Sequence, residues 1–106
     1  MYEYRAFVRK VYDGDTITCD IDLGFNVIMR NQKLRLWGID TPEVRGVSRE
    51  EGLKVRDLVR KRISNKWITI KTRKDKKGKY GRWLAEVFPP DCNESLNTWL
   101  ILEGHA

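Results

Sequence analysis

The 106-residue chain predicts a mainly β, α+β domain: a five-stranded barrel with two or more helices, one of them closing an end of the barrel. Two observations carry that prediction. Apolar side chains recur at every second residue in five stretches and at helical spacing in two, in the order three strands, helix, two strands, helix. Short turns join the first three stretches, which makes them a meander.

Tyr4, Ala6 and Val8 alternate with Glu3, Arg5 and Arg9, the period of a half-buried strand. After a turn at Tyr12-Asp13-Gly14, Thr16 to Leu23 repeats the pattern, with Ile17, Cys19 and Ile21 on one face and Thr18, Asp20 and Asp22 on the other. Gly24 and Phe25 mark the next turn. Val27 to Trp37 is rich in β-forming residues, with Leu34 and Leu36 on one face and Arg35 and Trp37 on the opposite one. Arg35 is therefore expected to point away from the core.

Thr41-Pro42 halts regular structure, and a polar stretch through Arg45 and Gly46 follows. Ser48 and Glu51 then stand at capping-box spacing, and Val55, Leu58, Val59 and Ile63 recur at helical spacing until Asn65. Trp67 to Thr72 alternates as a fourth strand. Trp83 to Phe88 forms a fifth, stopped by Pro89-Pro90, which lack the N–H groups a ladder needs. A second helix starts near Ser95 and ends at Gly104. This order suits a barrel of the oligonucleotide-binding class, and without repeats or linkers residues 1–106 are expected to form one domain. Of Trp37, Trp67, Trp83 and Trp99, most are expected to cover core or helix seams, because a small domain needs large apolar side chains to bury.

Lys and Arg number 21 against 15 Asp and Glu, a net charge of +6, so a polyanion is the natural partner. The charge is concentrated: the run from Lys71 to Arg82 carries seven basic residues and one acidic one, Asp75. No apolar stretch approaches the roughly 18 residues a membrane span requires, and the N-terminus lacks a signal pattern. The chain as it stands thus reads as cytoplasmic, or as secreted where a leader has been trimmed. Cys19 and Cys92 are too far apart for a zinc knuckle, and His105 has no partner spacing, so neither type is expected in a site.

The candidate chemistry lies in Asp13-Gly14-Asp15-Thr16, in Arg35 through Glu43, and in Tyr80-Gly81-Arg82. Cutting a phosphodiester needs a hard cation on oxygen ligands, a base for water, and fixed positive charge around the phosphorane. These stretches offer each. Singly they are ordinary: Asp-Gly is a hairpin signal, Asp40-Thr41-Pro42 a turn or helix entry, Arg35 a strand cation able to pair with a nearby aspartate, Glu43 a surface glutamate, and Arg82 a solvated loop end. Their joint occurrence at strand ends of one meander points to a single pocket.

In order and spacing, these stretches and the closing Leu100-Ile101-Leu102-Glu103-Gly104-His105-Ala106 resemble the staphylococcal nuclease, or thermonuclease, family. The resemblance implies a calcium-dependent endonuclease, indifferent to the sugar, that hydrolyses DNA and RNA to 3′-phosphate products. It implies Asp15 and Asp40 as side-chain ligands of Ca²⁺ and Thr41 as a backbone-carbonyl ligand, all oxygen donors suited to a hard cation. Glu43 would activate or orient the attacking water, and Arg35 and Arg82 would grip the phosphate oxygens as charge builds. Lys79 and Tyr80 would contact the terminal phosphate and the nucleotide. Asp13 is either a support for the metal cluster or a turn residue bonding its own backbone.

The implied partner is DNA or RNA, single strands preferred, and the protein is expected to be a monomer that stops short of the family's C-terminal segment. The competing expectation is a non-catalytic module that binds nucleic acid or protein on the same barrel. Asp15, Asp40 and Glu43 argue against it, because they repel phosphate when no cation is bound.

Overall fold

The computed structural model describes residues 2–44, 46–74, 83–90 and 92–105. Its elements are β1 (Tyr2–Asp13), β2 (Thr16–Asp22), β3 (Ile28–Leu36), α1 (Arg49–Ile63), β4 (Trp67–Lys74), β5 (Trp83–Phe88) and α2 (Leu96–Leu102). The strands close into a barrel in the order β1-β2-β3-β5-β4, the architecture the sequence predicts. Among the described residues every pairing is antiparallel except the seam between β3 and β5, which is parallel and sets Leu34 to Leu36 against Trp83 to Ala85.

Inward positions follow the alternation: Ala6, Val8, Ile17, Cys19, Leu34, Leu36, Ile68, Ile70, Ala85 and Val87 are buried in one core. Val55, Val59 and Ile63 of α1 and Leu96 and Leu100 of α2 belong to the same core. Each such Leu or Ile contributes roughly 1.5–3 kcal/mol over its exposed form. Glu50 and Glu51 in the first turn of α1 and Arg60, Lys61 and Arg62 in its last complement the helix dipole. The Ser48 side chain, half of the expected capping box, lies outside the described set. At the second helix, Ser95 caps as expected, its hydroxyl accepting from the Thr98 N–H at 3.1 Å, and Gly104 takes φ +77 just beyond the last turn.

β1 breaks its alternation twice, between Val8 and Lys10 and between Val11 and Asp13. The first bulge leaves Arg9 and Lys10 both exposed between buried Val8 and Val11. At the second, the Val11 carbonyl accepts from Arg60 Nε at 3.3 Å and Nη2 at 3.1 Å, which ties the end of β1 to α1. A third irregularity, between Cys19 and Ile21, lies opposite Asn31 at φ +56, whose N–H donates to Asp20 Oδ1 at 3.0 Å. Asp20 keeps its outward position, but Arg9 at 2.6 Å and Arg30 at 3.6 Å cover it. The Asn31 N–H and then Arg9 hold the Asp20 carboxyl below its ordinary range.

The tryptophans correct the expectation. Trp37, Trp67 and Trp83 stand more than two-fifths exposed, and among the four only Trp99 packs against the core, with Arg62 stacked on it at 4.5 Å. Aliphatic inward residues already fill so narrow a barrel, so bulky rings on outward positions stay on its wall. No described helix is long and apolar enough to cross a membrane.

Asn97 is the buried polar group that holds α2 in place. Its Nδ2 donates to the carbonyls of Trp37 at 2.8 Å and Ala85 at 3.1 Å, and its Oδ1 accepts from the Val87 N–H at 3.0 Å. One side chain thereby fastens the last helix to β5 and to the end of β3. Asn97→Ala leaves these backbone groups without a partner and is expected to cost about 3 kcal/mol, read as a lower urea midpoint at unchanged m-value.

Candidate active site

The turn between β1 and β2 is built by its first aspartate. Asp13 Oδ1 accepts from the Asp15 N–H at 3.2 Å, the self-bonded turn form of the two alternatives open for Asp13. The Asp15 carbonyl accepts from the Leu36 N–H at 2.8 Å, which sets the turn beside the end of β3 and pairs Thr16 with Arg35. Asp15 is buried. Its carboxylate accepts from the Thr16 hydroxyl at 3.1 Å and from the Thr41 N–H at 3.4 Å.

Arg35 stands between the two candidate ligand carboxylates. Its Nη2 lies 3.6 Å from Asp15 Oδ2 and 3.5 Å from Asp40 Oδ1, so the ion pair weighed against a catalytic role is present. Asp40 itself is almost fully exposed. Asp13, Asp15, Arg35, Asp40 and Glu43 all line one cleft of about 920 Å³, together with Lys10, Tyr12, Lys33 and Trp83. Thr41 is buried beside it and borders a shallower depression shared with Asp40, Glu43, Glu51 and His105. Lys79, Tyr80 and Arg82 lie outside the described residues.

Two glycines allow these segments to meet. A Cβ on Gly14 would lie 2.6 Å from Val55 Cγ1 and 2.8 Å from Thr41 Oγ1. At Gly52 of α1, a Cβ would collide with the Glu43 carbonyl oxygen. A helical glycine costs about 1 kcal/mol relative to alanine, and here it lets the Glu43 backbone rest on the helix. The spacing of apolar residues in α1 does not reveal this role; the signal that could have is an isolated glycine in an otherwise strong helix. The cleft positions of Lys10 and Trp83 carried no such signal, because a bulge and a strand end place them.

Burial, followed by the hydrogen bond and charge of Asp13, raises the Asp15 carboxyl from 3.8 to about 6, against the opposing pull of Arg35 and Thr16. Two acids buried in one turn favour either a proton or a cation. Among the described residues no three His, Cys, Asp or Glu side chains gather at metal-binding spacing. The donors present are nevertheless all oxygens, and the buried Thr41 hydroxyl has no hydrogen-bond partner. That set fits a hard divalent cation rather than a thiophilic one.

Two outcomes are expected. Gly52→Ala displaces the Glu43 backbone, so it should lower any activity of the cleft by tenfold or more, on the order of what a 1 Å misplacement costs, while circular dichroism still reports a folded barrel. For pH, folded Asp15 keeps its proton to about 6 whereas the unfolded chain releases it near 3.8, so the native state binds more protons in that window. Stability therefore falls as pH rises from 3.8 through about 6, and Asp15→Asn should flatten that slope in urea titrations without added cation.

Comparison with known proteins identifies the family of the chain. Residues 33–106 match the family described as Staphylococcal nuclease homologue, a span from β3 through α2. The chain is similar to the Thermonuclease of Staphylococcus intermedius, with 33% identity over 102 residues, covering 93% of this chain and 56% of the relative. The Thermonuclease of Staphylococcus hyicus gives the same figures, and Endonuclease YhcR of Bacillus subtilis is 27% identical over 113 residues, 98% of this chain and 9% of that protein. The chain thus spans little more than half the length of either thermonuclease. With the family match covering most of its residues, the protein belongs to the staphylococcal nuclease family.

Proposed function

We propose that the protein is a calcium-dependent endonuclease that hydrolyses phosphodiester bonds of DNA and RNA to 3′-phosphate products. The observation that carries this reading is the position of Arg35, which faces Asp15 and Asp40 in the cleft that Glu43 also lines. The side chains of Asp15 and Asp40 and the carbonyl of Thr41 would hold Ca²⁺. When bound, the ion supplies positive charge that offsets these acids and the phosphate together.

Glu43 takes the proton of the attacking water as its oxygen bonds to phosphorus, and the 5′-oxygen leaves, so the phosphate stays on the 3′ side. Arg35 lies 3.5 to 3.6 Å from its carboxylates, longer than the roughly 2.7–2.9 Å of a tight charge-assisted bond. The guanidinium is thus loosely held, and its planar fork can turn to two phosphate oxygens as charge develops on them. Arg82 acts with it, and Lys79 and Tyr80 contact the terminal phosphate and the nucleotide; these three roles rest on the family resemblance.

The test incubates the protein with single-stranded DNA in calcium and in chelator, beside Glu43→Gln. Calcium-dependent cutting that leaves 3′-phosphate ends, and that falls at least about a hundredfold in the variant, is expected. Binding without cutting under every condition would instead identify a non-catalytic module.

A further inference from the structure

Away from the cleft, the outer wall formed by β1, β4 and β5 alternates aromatic rings with cations. Register sets Phe7 opposite Trp67 and Arg5 opposite Thr69, and Thr69 opposite Phe88. The Phe7 and Trp67 rings meet edge to face at 5.5 Å, with the Arg5 guanidinium 5.1 Å over Trp67 and that of Arg9 4.9 Å over Phe7. Trp67 is still 41% exposed, beside a groove of about 530 Å³ that Arg5, Trp67, Thr69 and Phe88 help to line and that no described carboxylate borders.

The described acids of this wall do not border the groove. Glu3 and Glu86 stand opposite Lys71 in the register, and Asp20 lies under Arg9 and Arg30. The first bulge of β1 then exposes Arg9 and Lys10 in succession, and Lys10 lines the cleft. Arg5, Trp67, Phe7, Arg9 and Lys10 therefore form a continuous row from the groove to the cleft.

We infer that this row is a track for single-stranded nucleic acid that extends the hold on substrate beyond the cleft, with a base stacked on Trp67 and phosphates on Arg5, Arg9 and Lys10. Exposed rings spaced between cations accept any base, since every base has a π-face, and a duplex would keep its bases from the ring. The track shares the substrate class of the proposed nuclease but does not depend on cleavage.

The test measures anisotropy of labelled oligothymidylates of about 4 and about 16 nucleotides, the range of site sizes for such barrels, in chelator so that nothing is cut. The ratio of wild-type to variant affinity is taken at each length, which cancels the statistical gain of a longer strand. Combined Arg5→Ser and Trp67→Ala should weaken the longer strand about tenfold and leave the shorter one unchanged, and Trp67→Phe should retain most of the affinity. Cleavage of the short oligonucleotide in calcium should also be unchanged. Equal loss at both lengths, or none at either, overturns the track. Because binding is read without catalysis, a protein that never cuts can still pass or fail this test.

Discussion

A side chain at Gly14 would collide with Val55 and Thr41, and the candidate site depends on its absence. The turn that carries Asp15, the loop that carries Asp40 and Thr41, and helix α1 come from three separate parts of the chain. They touch at one point. With that contact made, the Thr41 N–H reaches the Asp15 carboxylate, and the loop leads Glu43 across Gly52. The constraint is steric, so it is all-or-none: either the three segments approach within van der Waals distance or the acids do not share a cleft.

Electrostatics then opposes what packing imposes. Burial and Asp13 both disfavour charge on Asp15, and the Arg35 guanidinium divides itself between Asp15 and Asp40. A fold optimised for stability alone would replace such a cluster with apolar side chains. The arrangement is intelligible where further positive charge arrives with a cation.

The barrel was legible because its signals are local. Two-residue alternation in Ala6-Val8, Ile17-Cys19 and Leu34-Leu36, the Ser95 cap and the Pro89-Pro90 stop each act over a few residues, and the elements formed where these signals stand. The candidate site was legible in part: the outward face of Arg35 followed from alternation, and its neighbourhood with Asp15 from the meander. What escaped depends on contacts between distant segments. Asn97 reads as an ordinary polar helix residue until Trp37 and Ala85 are found beside it, and Gly52 as a weak helix former until the Glu43 carbonyl rests on it. The exposed tryptophans were misjudged because their size suggested burial, whereas strand parity had already assigned Trp37 and Trp67 to the outer wall.

Among the described residues the parallel seam between β3 and β5 has the fewest register pairs, and Arg35 lies within it. Leu34, Arg35 and Trp83 of this join also line the cleft. A ligand that spans Asp15, Asp40 and Arg35 would act as a clasp across that join, so occupancy of the cleft and integrity of the whole cylinder are thermodynamically linked.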